Sequence, residues 1–173
     1  MIAGPPFSRP IRVETIPREG LEMRVEADEA ERAALAAFNG LPAIGKLVAT
    51  FSLKHGAGGA IIVRGEVAAD VTQTCVVTLE PFEASLVEQI DTRFAPPSER
   101  LRRPAEDPRF EDEDRPDPIV DGKIDLGALT AEFLTLGLDP YPRKPGVAFE
   151  SPKAKPESPA SPFSALADQK KGG

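Results

Sequence analysis

A chain of 173 residues suits one domain with tails, and its single cysteine and single histidine exclude an intramolecular disulfide framework and a zinc site built within one chain. The formal net charge of −7 argues against coating nucleic acid by bulk attraction, which works by neutralising phosphates with Lys and Arg, and it favours basic partners. Nothing approaches the ~20 apolar residues of a membrane span, and Met1–Pro10 has neither the basic leader nor the apolar run of a signal peptide. A cytoplasmic protein, away from membrane and DNA, is the expectation.

Residues 1–10 read as an extended, Pro-rich segment. Ile11–Ile16 and Leu21–Glu26 each alternate apolar and polar residues around Pro17-Arg18-Glu19-Gly20, which predicts a strand, a turn and a strand. Asp28 with Glu31 makes a capping signature and Asn39-Gly40 a stop, so a short helix is expected over 29–38, with Ala34, Leu35 and Phe38 on its apolar face. Leu47, Ala49, Phe51 and Leu53 then alternate with Lys46, Thr50, Ser52 and Lys54. After the loop His55–Gly59, a second run places Ile61, Val63, Gly65, Val67, Ala69 and Val71 on one side, and the two runs form a hairpin. The alternation stays in phase through Gln73, Cys75, Val77 and Leu79. That is about twice a normal strand length, so a bend or bulge is expected at Gly65 or Asp70.

Glu80-Pro81 breaks the run, and a further strand puts Phe82, Ala84, Leu86, Ile90 and Phe94 on one face, completing a mainly antiparallel β domain over 11–94. Between Ala95 and Pro118 stand six prolines, eight acidic residues and five arginines. With so little to bury, 95–121 reads as an acidic, solvated, disordered linker. Order is expected again over 122–145, where Asp125 caps a helix whose stripe of Leu126, Leu129, Phe133 and Leu136 packs back on the same domain. Residues 146–173 are a flexible tail rich in Pro, Ser and Lys, with an apolar island at 162–167. Together these elements define an α+β fold: an antiparallel β-sheet, open or barrel-like, with two packing helices, an acidic disordered linker and a disordered C-terminal tail.

The residues offer little chemistry. A thiol nucleophile needs a base within reach and a lowered pKa, and the only imidazole, His55, lies in a Gly-rich hairpin loop. Cys75, placed on an apolar strand face, reads as a small hydrophobe; a cysteine-dependent enzyme is the disfavoured alternative. The acidic block Glu111, Asp112, Glu113 and Asp114 has no glycine where a calcium loop turns. Gly56-Ala57-Gly58-Gly59 lacks the Lys and Ser or Thr of a phosphate loop and runs into a strand. No metal, cofactor or catalytic set is therefore assigned. What remains are binding surfaces. Lys46, Lys54 and Arg64, with Thr50, form one sheet face that could contact RNA, and Arg100, Arg102 and Arg103 form a basic cluster within an acidic surrounding. The acidic block offers charge to basic partners, and Phe163 and Leu166 form an apolar anchor on the tail, for its own domain or a partner.

Three blocks in this order, "TCVVTLEPF" at 74–82, "DGKIDLGALTAEFLTLGLDPYPRKPG" from Asp121 and "SPFSALADQKK" from Ser161, resemble the bacterial YceD-type large ribosomal RNA subunit accumulation proteins. Many members carry Cys-x-x-Cys-Leu where this chain has Cys75, Thr78 and Leu79, so a role for paired cysteines does not carry over. Pro81, Phe82, Asp125, Leu126 and Glu132 also fall on motif positions, as do Pro162-Phe163 and Leu166-Ala167. The resemblance implies a non-enzymatic accessory factor in accumulation and maturation of large-subunit ribosomal RNA. Its partner would be that RNA, a ribosomal protein or an RNA-processing factor.

Overall fold

The computed structural model describes residues 6–97 and 116–148. Its centre is an open sheet of five strands in the order β2-β3-β4-β5-β6: β2 (Leu21–Glu26), β3 (Ala43–His55), β4 (Ile61–Thr74), β5 (Pro81–Ala95) and β6 (Asp117–Pro118). The first four pair antiparallel, and β6 joins β5 in parallel at Phe94 and Ala95 only. Two helices, α1 (Glu29–Asn39) and α2 (Leu126–Gly137), cover one face. The fold is α+β as expected, and the sheet does not close into a barrel.

Period-2 patterning explains the long hairpins. Leu47, Ala49, Phe51 and Leu53 on β3 and Ile61, Val63, Val67, Ala69 and Val71 on β4 are all buried, while Lys46, Thr50 and Arg64 are exposed. Burying each large aliphatic or aromatic side chain contributes ~1.5–3 kcal/mol. These side chains form one core with Leu35 of α1 and Leu126, Leu129 and Leu134 of α2. Gly65 lies where β3 comes closest: a Cβ there would sit 2.0 Å from the Thr50 carbonyl oxygen. The irregularity in the hairpin is not at Gly65 or Asp70. It is a register shift in β3 between Ile44 and Lys46, opposite Asp70 and Val71, so the extra residue, Gly45, belongs to β3 and not to β4.

Helix α1 is closed at both ends by its own sequence. The Glu31 N–H donates to Asp28 Oδ1 at 2.8 Å and the Asp28 N–H to Glu31 Oε2 at 2.9 Å. Gly40, at φ 65°, takes the left-handed cap. Its buried residues are Leu35 and Ala36; Ala34 and Phe38, expected on the apolar face, are exposed. In α2, Phe133 is half-buried and Leu136 exposed, with Leu134 taking the core position. Both discrepancies have one cause. The buried arc of each helix is rotated from the expected stripe, toward Ala36 in α1 and Leu134 in α2, and the last turns of the two helices meet, the Thr135 hydroxyl donating to Asn39 Oδ1 at 2.8 Å.

The N-terminal hairpin does not form. The first strand is only β1 (Pro10–Arg12), followed by a single 3-10 turn at Val13–Thr15. β1 pairs with β7 (Lys123–Asp125), at Ile11 with Ile124, while β2 pairs with β3. The chain also rejoins the sheet before residue 122: Asp117–Pro118 pairs with β5, and Ile119 is buried in the core. Residues 98–115 and 149–173 lie outside the described residues.

Candidate functional site

The sheet ends in a feature that the alternating pattern concealed. β4 stops at Thr74, and Cys75–Glu80 is a turn rather than a continuation of the strand to Leu79. The Leu79 N–H donates to the Cys75 carbonyl and the Cys75 N–H to the Glu80 carbonyl, each at 2.9 Å. Leu79 adopts φ 60°, a left-handed conformation that disfavours side chains with a Cβ. It does not share the buried face with Cys75; it is 76% exposed.

A second segment closes over this turn. After α2, Asp139–Lys144 runs back along the end of the hairpin. The Gln73 side chain donates to the Asp139 carbonyl at 3.3 Å, the Val76 N–H to the Pro142 carbonyl at 2.9 Å, and Lys144 Nζ to Glu80 Oε2 at 3.2 Å. Cys75 is thereby wholly buried. The Thr78 hydroxyl, first, and then the N–H groups of Lys144, Thr78 and Val77 act on its sulfur to lower its pKa to about 6 against the opposing effect of burial. No base is aligned with this sulfur: His55, the only imidazole, ends β3 and its ring Nε2 donates to the Ile16 carbonyl at 2.9 Å. The turn and the segment leave Val76, Leu79 and Tyr141 exposed at one end of the molecule.

The other motif positions are structural ties. Asp125 caps α2, its Oδ1 accepting from Gly127 and Ala128 N–H, both at 3.0 Å, and also from Arg9 N–H at 2.7 Å; Oδ2 accepts from the Ser8 hydroxyl at 2.6 Å. Burial acts to raise its pKa, but these bonds outweigh it and the net shift is downward. Leu126 is buried, and Phe82 is half-buried beside the exposed Pro81 at the start of β5. Glu132 is exposed on α2; partial burial, then the negative charge of Asp117, raises its pKa. Two ties were not specified by the motifs. Arg9 forms a two-pronged ion pair with Glu31 at 2.7 and 2.9 Å, and Asp139–Lys144 packs on the hairpin end. The expectation of order over 122–145 covers this segment, but nothing in it indicated where it would pack.

Lys46, Lys54 and Arg64 do lie on the outer face of the sheet, but that face is not basic. Glu22, Glu26, Glu66, Asp70, Glu83 and Asp91 share it with Arg24 and Arg93, so acids and bases alternate across it, and Arg64 pairs with Asp91 at 3.2 Å. Arg100, Arg102, Arg103, Glu111, Asp112, Glu113, Asp114, Phe163 and Leu166 lie outside the described residues. Among the described residues there is no cluster of three or more His, Cys, Asp or Glu side chains placed to hold a metal, and no helix long and apolar enough to cross a membrane.

Fold and surface together define an α+β sheet protein whose motif residues close the Cys75 turn at the end of β4 and cap the start of α2. The family model described as large ribosomal RNA subunit accumulation protein YceD matches residues 63–170, and the chain belongs to that family. The match begins within β4 and spans the Cys75 turn, β5, β7 and α2. Searches of curated proteins and of solved structures return no match.

Proposed function

We propose that this protein is a non-enzymatic, cytoplasmic accessory factor in the accumulation and maturation of large-subunit ribosomal RNA, acting by binding a ribosomal protein or RNA-processing factor. Family membership carries the reading, since the family name gives a role in large-subunit RNA accumulation. The exposed Val76, Leu79 and Tyr141 support binding as the mode of action. They sit inside the matched region, and Leu79 keeps an apolar side chain at a backbone position that favours glycine. Direct binding of RNA by the sheet face has no comparable support, because carboxylates are interleaved with its cations and would oppose phosphate contact.

Native purification of the tagged protein, followed by RNA sequencing and mass spectrometry, tests the proposal. Enrichment of large-subunit ribosomal RNA together with a protein partner is expected. Recovery of neither, alongside normal large-subunit RNA in cells lacking the protein, would overturn it. RNA retained by purified protein alone, with an affinity falling steeply as salt rises, would instead establish direct RNA binding.

A further inference from the structure

The two edges of the sheet are built differently. At one, β2 is six residues long and its outward side chains are Glu22, Arg24 and Glu26, a short charged strand that makes a poor template for pairing. At the other, β5 is 15 residues long and β6 covers only Phe94 and Ala95. The Ile119 N–H donates to the Ala95 carbonyl at 3.0 Å, so the backbone groups of Ala95 point away from β4. In an antiparallel pair the residues alternate between facing the partner and facing away, and the β4–β5 register runs unshifted from Phe94 to Pro81. Glu83, Ser85, Val87, Gln89 and Asp91 therefore turn their N–H and C=O groups to the free edge. Among the described residues nothing else hydrogen-bonds to these groups.

The surroundings of this edge give the chemistry of what it would accept. On its inner face Phe82, Ala84 and Leu86 are only half-buried, and on its outer face Val87 is 58% exposed. The charge around it is mostly negative. Glu83 and Asp91 stand on the outer face, Glu88 lies on the inner face against Gly137 of α2, and Glu132 and Asp117 face each other near the β6 end. Among the described residues Glu83, Glu88 and Glu132 have no ion pair; Asp91 has Arg64, and Arg93 is already engaged.

We propose that the free edge of β5 takes up an extended, basic segment of a partner protein as an added strand. Alternate apolar side chains of that segment cover Phe82, Ala84 and Leu86, and its Lys or Arg residues meet Glu88 and Glu132 on one face and Glu83 on the other. The partner's identity as a protein of ribosome assembly rests on the function proposed for the family; the strand chemistry rests on the edge alone. Lys/Arg-rich segments that order on binding are common in proteins that contact RNA.

The test uses the full chain and a synthetic peptide alternating Lys and Val, with a Glu/Val peptide as control, read by fluorescence anisotropy and by amide hydrogen exchange. The Lys/Val peptide should bind at least tenfold more tightly than the control, and the amides of Glu83, Ser85, Val87, Gln89 and Asp91 should gain protection on binding. Val87→Pro removes an edge N–H without touching the β4 ladder and should abolish that gain. Glu132→Lys, which needs no backbone change, should weaken the Lys/Val peptide about tenfold while leaving the fold intact. Equal binding of both peptides, or binding that leaves these amides unprotected, overturns the proposal. So does protection in the free protein: independent of concentration, it means the chain covers its own edge; rising with concentration, it means a second copy does. A failed peptide test with ribosomal RNA still co-purifying removes the edge and keeps the ribosomal role; the converse pair of results does the opposite.

Discussion

Replacing Asp125 offers the sharpest test of how the N-terminal segment is held, because one carboxylate serves four donors from two distant parts of the chain. In Asp125→Ala, α2 loses its N-cap, at ~1 kcal/mol. The part-buried Arg9 N–H also loses its acceptor, at ~1–3 kcal/mol, so the expected destabilisation is about 2–4 kcal/mol. Asp125→Asn keeps a good capping oxygen but no charge, and should cost about 1 kcal/mol at neutral pH, because charge-assisted hydrogen bonds are roughly twice as strong as neutral ones. The pH dependence follows from the downward shift of the Asp125 pKa. A carboxylate with a depressed native pKa stabilises fully above its unfolded value of ~3.9, and that contribution disappears as pH falls through the native value. The gap between wild type and Asp125→Asn should therefore be open at pH ~7 and close on acidification. Urea unfolding followed by circular dichroism at several pH values measures it. An Asp125→Ala variant within ~0.5 kcal/mol of wild type, or a wild-type to Asn gap that ignores pH, would refute the reasoning.

Other consequences are as direct. Gly65→Ala should destabilise by ~3 kcal/mol or prevent folding, since overpacking costs ~1–3 kcal/mol where atoms can shift and here the obstacle is the Thr50 carbonyl at 2.0 Å; thermal unfolding decides it. Leu79→Gly should stabilise by ~0.5–1 kcal/mol, relief of left-handed strain exceeding the added unfolded-state entropy. The same variant should recover less partner in native purification, and unchanged recovery would remove Leu79 from the binding surface. Thr78→Val removes the foremost donor to the Cys75 sulfur and should raise its pKa from about 6, seen as a shift in the ultraviolet thiolate titration. Because that pKa is depressed on folding, the wild-type chain should gain stability as pH rises from about 6 to 9, and Cys75→Ser should lose this gain in pH-resolved urea titrations.

Much of the architecture was legible because it is local or periodic. The capping box and glycine stop of α1, the Asp125 cap of α2 and the alternation of β3, β4 and β5 all appear where short-range chemistry requires them. Errors arose where apolar residues kept a pattern without the structure. Val77 and Leu79 extend the phase of β4 past its end, but the bonds of Cys75 to Leu79 and Glu80 close a turn there. Phe38 and Leu136 fit helical stripes, yet are exposed because the arcs the core buries run through Leu35 and Ala36 in α1 and Leu126, Thr130 and Leu134 in α2. The candidate site was half legible: the motif residues marked the Cys75 turn, while the exposed Leu79 and the returning Asp139–Lys144 segment were not foreseen.

The sequence by itself determined the elements that a few neighbouring residues can specify, together with the family through its three ordered blocks. Only the tertiary structure decided that β1 leaves β2 to pair with β7, that Arg9 clasps Glu31, that the sheet stays open and that one long edge of β5 has no neighbour beyond Phe94 and Ala95 among the described residues. The physical reason is range. Caps, turns and alternation are set by contacts a few residues apart, whereas pairing a three-residue strand with a segment more than a hundred residues away depends on which surfaces the folded core has left to cover.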